Sequence, residues 1–169
     1  RSIDDPFPIA EISEPDFAQS VHGDNFDFIQ EMVWIYQYLT GYVFGEYREA
    51  SEALAKSAAI IKSREDGLDS PMQIMYECLV WAQLYEEYNA EEQRTYRAKM
   101  RKCLKKMKNL AMRCPGNYQH KYLLMKAELT RLSRDPRQAE ALYEQSIETA
   151  RVHGHIHDLA MAAECYGKF

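Results

Sequence analysis

Apolar residues recur at steps of three and four positions over most of this chain, from residue 26 to its end. This period places them on one face of an α-helix, whereas a half-buried strand would alternate at every second position. Turn-forming residues interrupt the pattern at Gly45, Gly67, Asn89, Pro115, Asp135 and Gly154. The pattern therefore predicts about three antiparallel pairs of helices, followed by one extra helix.

Start and stop signals sharpen these boundaries. Ser70 stands before a proline, an order typical of an N-cap and the first helical position. Asn89 precedes Glu92 by three positions, which predicts a capping box, and Asp135 stands before another proline and is followed by Gln138. Gly45 is suited to a turn because glycine adopts a positive φ at little cost. The run 115–117 predicts a break between the fourth and fifth helices.

Two of the helix pairs share a spacing of large and small residues. In tetratricopeptide (TPR) repeats, a large residue of the first helix packs on small residues of both helices, and an aromatic residue follows on the second. The residues in this phase are Trp34, Gly45, Tyr47, Ala50 and Leu54 in the first pair, and Leu123, Ala127, Ala139 and Tyr143 in the last. Tyr38 stands where a small residue is usual, which predicts a splayed first hairpin. The expected fold is all-α, a TPR-like right-handed superhelix.

Charge divides the chain into two parts. Over residues 1–25 six acidic residues oppose only Arg1, so this segment carries the net charge of −5 that the whole chain of 169 residues shows. We expect an acidic extended leader or linker at 1–25, and a helical-repeat domain at 26–169 that is a fragment of a longer chain. Two interpretations of the leader stay open: a linker from a preceding domain, or a segment that lies in a groove of the helical body.

The fourth predicted helix is strongly basic. No acidic residue occurs between Gln93 and Ala127, and the apolar stripe of the helix leaves its cations on the other side. The residues predicted to form a surface for an anionic partner are Arg94, Arg97, Arg101, Lys102, Lys105 and Lys108. A merely solvated face is the alternative. Nucleic acid is a poor candidate partner because the chain is acidic overall and aromatic residues are not interleaved with the exposed cations.

Motifs for chemistry are weak. His153, His155 and His157 alternate, but they lack the complementary ligands of a zinc site, and a cap role at a helix end is favoured. The triplet that begins at His157 resembles the start of a phosphoacceptor box without its remaining residues. The four cysteines have no metal-ligand spacing and are expected to be reduced and mostly structural. We expect no catalytic residue, cofactor or metal; an enzyme that uses cysteine and histidine is the remaining rival.

One run resembles a known family. The residues from Cys114 to Leu124, C-P-G-N-Y-Q-H-K-Y-L-L, together with segments at 127–129, 141–147 and 150–154, are similar to the helical-repeat region of very large hybrid sensor kinases. In that family, serine/threonine-kinase-like and AAA/STAND ATPase domains precede the repeats, and GAF and histidine-kinase domains follow. The resemblance implies a regulatory connector in a two-component signalling protein, without chemistry of its own.

The expected function is a non-catalytic regulatory or protein-interaction scaffold of a multidomain histidine kinase. Its partners would be other domains of the same chain or a protein or peptide, without nucleic acid or membrane. The alternative is a free-standing TPR-type adaptor that binds an acidic or extended peptide through its groove or its basic helix. No window approaches the apolar length of a membrane span and no signal peptide is evident, so we expect a cytoplasmic location.

Overall fold

The computed structural model of the protein describes residues 26–63 and 70–169. The leader predicted for 1–25 and the helix end predicted at Gly67 lie outside these residues. The described residues form an all-α fold, with seven α-helices, one 3-10 turn at Tyr85–Glu87 and no strand. The α-helices are α1 (Phe26–Phe44), α2 (Tyr47–Ser63), α3 (Pro71–Gln83), α4 (Ala90–Arg113), α5 (Pro115–Arg131), α6 (Pro136–Val152) and α7 (Ile156–Lys168).

Side-chain caps fix two of the helix starts. Asn89 accepts hydrogen bonds at 3.0 Å from the backbone N–H groups of Glu91 and Glu92, and the Glu92 carboxylate accepts one from the Asn89 N–H, which confirms the capping box. Asp135 accepts from the N–H of Gln138 at 3.2 Å. Ser70 holds the N-cap position of α3, but its side chain makes no cap hydrogen bond, contrary to the usual role of such a serine.

The predicted break between the fourth and fifth helices is confirmed, but residues 115–117 are not a loop. Cys114 alone separates α4 from α5, and Pro115 is already the first residue of α5. Proline is suited to this position because the first N–H of a helix has no intrahelical acceptor, so its absence costs nothing. The two helices therefore meet at a sharp corner without a loop.

Three of the other corners share one turn geometry. Gly45 and Gly154 have φ of 81° and 74°, and the next N–H in each case donates back to a carbonyl of the helix just ended: Glu46 to Gly41 at 2.7 Å, and His155 to Ala150 at 2.9 Å. The positive φ predicted for Gly45 is thus confirmed. Between α5 and α6 the same position is filled by Arg134, with φ of 59°.

Each helix packs on the next one along the chain, and α1, α3, α5 and α7 also contact one another in that order. The odd-numbered helices therefore share one side of the molecule. The predicted splaying of the first hairpin is wrong: a Cβ placed on Gly41 would lie 3.2 Å from the Cβ of Ala50, so α1 and α2 approach closely there. Tyr38 instead packs towards α3, with its ring centroid 5.5 Å from that of Tyr76.

The core is built from the residues that face these helix contacts. Its largest fully buried side chains include four methionines, Met75, Met100, Met107 and Met125. Unbranched methionine side chains fill irregular gaps between helices that cross at different angles. The nine residues proposed for repeat packing fall into three groups, of which the exposed turn residue Gly45 is one. Six of them are buried: Ala50, Leu54, Leu123, Ala127, Ala139 and Tyr143. Trp34 and Tyr47 are half-buried against the core.

Candidate functional site

The basic residues of α4 lie on its solvent side because Met100, Cys103, Met107 and Ala111 turn the opposite face into the core. The cations of this surface are exposed and make no ion pair or hydrogen bond with any residue that the structure describes: Arg94, Arg101, Lys102, Lys105 and Lys108. We call these five residues the α4 basic face. A run of unpaired cations of this length offers a site for an extended anionic segment.

Arg97 departs from that set. It is half-buried, and its guanidinium donates to the Leu132 carbonyl at 2.7 Å and to the Tyr85 hydroxyl at 3.2 Å. The six cations predicted to act together are therefore divided. Arg97 belongs to the end of the molecule where α4 starts and α5 stops, whereas the other five face open solvent.

Another expectation about α4 needs correction. The exposed ammonium of Lys99 lies over the rings of Tyr96 and Trp81, at 4.7 and 5.6 Å from their centroids. Aromatic rings are thus interleaved with one exposed cation, contrary to the sequence-based argument. The ring of Tyr96 is already stacked on Tyr88 at 4.2 Å, so these rings are occupied by one another and by Lys99.

The last helix, α7, lies across the side that the other odd-numbered helices share. The Tyr42 hydroxyl of α1 is 3.3 Å from the Cys165 sulfur, and the Tyr76 hydroxyl of α3 is 3.2 Å from Nε2 of His157. At its C-terminal end Lys168 donates to the Tyr47 hydroxyl at 3.4 Å. The helix α7 therefore covers the surface of α1 and α3 around Tyr42 and Tyr76.

A polar cluster fixes the start of α7 to α5. His120 is 1% exposed, and its Nε2 donates to the Asp158 carboxylate at 2.8 Å; Lys121 donates to the same oxygen at 2.5 Å. Burial alone would raise the pKa of Asp158, but the hydrogen bonds and charges of His120 and Lys121 outweigh it and lower that pKa from 3.8 to about 2. The carboxylate is therefore ionised at any physiological pH.

The donor atoms of His120, His155 and Asp158 lie within 4.8 Å of one another, the spacing of a possible metal site. The ammonium of Lys121 already neutralises the carboxylate, however, and Nε2 of His155 is bonded to the Gly116 carbonyl at 2.9 Å. A divalent cation would have to displace both, so these residues do not fit a metal. The three alternating histidines at 153, 155 and 157 do not converge on one site, because His157 faces Tyr76.

The end of α6 matches the predicted cap role only in position. His153 is the C-cap residue, and its backbone N–H donates to the Thr149 carbonyl at 3.3 Å. The ring of His155 instead forms its hydrogen bond with the Gly116 carbonyl near the start of α5, 39 positions earlier in the chain. The imidazoles at 155 and 157 thus serve contacts between helices.

A second polar cluster lies in the core beneath α7. Glu128 is 1% exposed; it accepts from the Tyr143 hydroxyl at 2.6 Å and from Nη2 of Arg131 at 2.7 Å. Burial and the neighbouring Glu128 carboxylate both raise the pKa of Tyr143. The same Arg131 nitrogen also donates to the Ala82 carbonyl of α3, so the cluster joins three helices. Sequence reasoning missed it, although Glu128 and Arg131 stand three positions apart, the spacing of a helical ion pair.

The buried cysteines have little of the character of a nucleophile. Cys78, Cys103 and Cys165 are buried, and burial raises the pKa of Cys165 to about 12 and that of Cys78 well above its ordinary value. Cys114 is exposed at the corner between α4 and α5. All four are free thiols, as expected.

No family model, curated protein or solved structure matches this chain. Within the described ranges, none of the helices combines the length and the apolar character needed to span a membrane.

Proposed function

We propose that this chain is a non-catalytic interaction scaffold that binds an acidic segment along the α4 basic face. The observation that supports it is the set of five exposed cations on one helix, for which the described residues supply no counter-charge. Such a surface raises the local concentration of an anionic partner and speeds its association. Binding an anionic partner through these charges involves no catalytic residue.

The proposal includes a TPR-like right-handed superhelix as the architecture. It is supported by the contacts among odd-numbered helices and by the close approach of α1 and α2 at Gly41 and Ala50. Buried small residues in the last pair, Ala127 and Ala139, suit the same arrangement. Because α7 lies across the side where such repeats usually bind peptides, we assign binding to α4 and not to a groove.

As context we propose a regulatory connector in a multidomain histidine kinase, on the strength of the resemblance at 114–154. Binding of an acidic segment to the α4 basic face would shift the kinase between states only if that segment preferred one arrangement of the helices. A free-standing adaptor would use the same surface. The coding sequence on either side of residues 1–169 distinguishes the two: kinase and ATPase domains support the connector, and a lone repeat domain supports the adaptor.

The test is the binding of a fluorescent peptide of twelve alternating Glu and Ser residues, measured by anisotropy at several salt concentrations. Reversing three charges together, Lys102→Glu, Lys105→Glu and Lys108→Glu, should weaken binding at least about tenfold and flatten its salt dependence. The matched control is Arg137→Glu, since Arg137 is an exposed cation on α6. Equal affinity in the triple variant and the wild type would refute the assignment to α4.

The leader is itself an acidic segment, and it lies outside the described residues. The same titration with a protein that begins at residue 26 separates its contribution. If the leader occupies the α4 basic face, its removal should tighten binding of the added peptide. If the peptide binds equally well with and without it, the acidic partner is a different segment.

A further inference from the structure

A cleft of about 420 Å³ opens where α3 and α5 end, α4 begins and α7 stops. Four cations line it, namely Arg97, Arg131, Arg134 and Lys168, with Glu86 as the single acidic residue of the lining. Two of the cations have carboxylate partners behind the cleft, since Arg131 is paired with Glu128 and Lys168 with Glu164. Arg97 and Arg134 have none among the described residues, so the cleft keeps an excess of positive charge.

Two of these guanidinium groups are held in place by the fold. Arg131 is fixed by the buried Glu128 and by the Ala82 carbonyl at 3.2 Å. Arg97 is fixed by the carbonyl of Leu132 at 2.7 Å and lies over the ring of Tyr85, 5.3 Å from its centroid. Preorganised arginines lose little side-chain freedom when they bind an oxyanion, which they can do through two parallel N–H groups.

Arg134 provides an independent observation. It has φ of 59°, at the turn position that Gly45 and Gly154 fill in the two other corners of the same geometry. A left-handed backbone conformation is unfavourable for a side-chain-bearing residue, and such residues cluster at binding sites. The backbone N–H of Arg134 donates to the Arg131 carbonyl at 3.0 Å, as in a hydrogen-bonded helix end. Its side chain is exposed and makes no ion pair or hydrogen bond with the residues described, so the side chain itself does not offset the strain. The backbone conformation therefore favours glycine at this position, and a role of the arginine side chain in binding would account for its presence.

We propose that this cleft binds the phosphate group of a phosphorylated peptide side chain. A phosphate monoester carries up to two negative charges and three acceptor oxygens, which match several converging guanidinium groups better than a single carboxylate does. The cleft is much larger than a bare phosphate ion, and Tyr85 and Phe169 at its lining provide surface for the rest of a side chain. This inference goes beyond the α4 basic face, none of whose five residues lines the cleft.

The experiment follows the arginine Nε–H signals of the whole chain by NMR at constant ionic strength. The probes are N-acetyl-O-phosphoserine amide, inorganic phosphate and N-acetylaspartate amide. We expect the phosphoserine probe to shift the signals of Arg97 and Arg131, and to bind at least about tenfold more tightly than the aspartate probe. Equal binding of the phosphoserine and aspartate probes would overturn the proposal, and inorganic phosphate that binds as tightly as phosphoserine would overturn its assignment to a peptide.

The decisive variant is Arg134→Gly, because it separates binding from folding. Glycine relieves the positive φ, so the melting temperature should rise, while affinity for the phosphoserine probe should fall at least about tenfold. Arg137→Ala, an exposed arginine outside the cleft, should leave that affinity unchanged. Unaltered binding in Arg134→Gly would overturn the proposal, as would loss of phosphoserine binding in the triple charge reversal of α4. If the triple variant loses binding of the acidic peptide but still binds the phosphoserine probe, the result bears only on the α4 basic face.

Discussion

The side of the molecule beneath α7 and the outer side of α4 differ in whether their charged side chains are paired. Under α7 every ionised group that the structure describes at the two polar clusters has a partner, as Glu128 has Arg131 and Asp158 has Lys121. On the α4 basic face the cations have no partner among the described residues. Buried charges are costly unless paired, whereas exposed ones are solvated by water. The first side therefore stabilises the fold, and the second is available to a ligand.

The largest expected effect breaks the cluster beneath α7. Replacing Glu128 with alanine removes the acceptor of both Arg131 and Tyr143 in a site that is 1% exposed. We expect the free energy of unfolding to fall by about 3 kcal/mol or more, measured by urea denaturation. Glu148→Ala is the matched control, since Glu148 pairs with Arg151 at the same helical spacing but on the surface. It should cost no more than about 0.5 kcal/mol; equal losses in the two variants would contradict the comparison.

A smaller effect depends on pH. The pKa of Asp158 is lowered from 3.8 to about 2, so its ionised form stabilises the fold above pH 4, and this contribution is lost as the pH falls towards 2. The lost free energy is about 2 kcal/mol. Asp158→Asn should therefore be less stable than the wild type at pH 6, and the difference between the two should shrink in acid. Urea denaturation at pH 6 and pH 2.5 measures it, and a difference that is the same at both pH values would show that the carboxylate charge does not matter.

The smallest effect compares two lysines. Lys121 is 17% exposed and donates to Asp158, so Lys121→Ala should lower the free energy of unfolding by about 1 kcal/mol. Lys105 belongs to the α4 basic face, and Lys105→Ala should change it by less than about 0.5 kcal/mol. Thermal denaturation of the two variants side by side is sufficient. A larger loss at Lys105 would mean that the α4 basic face contributes to folding.

Much of the fold could be predicted from the sequence because its signals are local. The capping box at Asn89 joins residues three positions apart, and the turn at Gly45 requires only a glycine that follows a helix. The buried stripe of α4 follows from apolar residues at a helical period. Each of these features is determined by neighbours within about one turn of helix, the range that single-sequence patterns resolve.

The polar clusters and the cleft could not be predicted in this way. Glu128 meets Tyr143 only because α5 and α6 pack face to face, and Arg97 meets Arg131 only because the start of α4 lies beside the end of α5. Tyr38 shows the same limit: its size predicted a splayed hairpin, but the neighbouring Gly41 allows close contact and leaves Tyr38 to α3. Contacts of this kind depend on how helices cross, which local spacing does not specify.

The approach of Tyr42 to Cys165 joins residues that are 123 positions apart. In a linear array of repeats each unit touches only its neighbours, and the terminal units fray independently. A contact between the first and last described helices removes that freedom, so α1 and α7 belong to one cooperative unit. Closing so long a segment of chain also slows folding, because its entropy is lost before the contact forms. The rate of folding, as well as the geometry of the folded state, thus depends on the last helix.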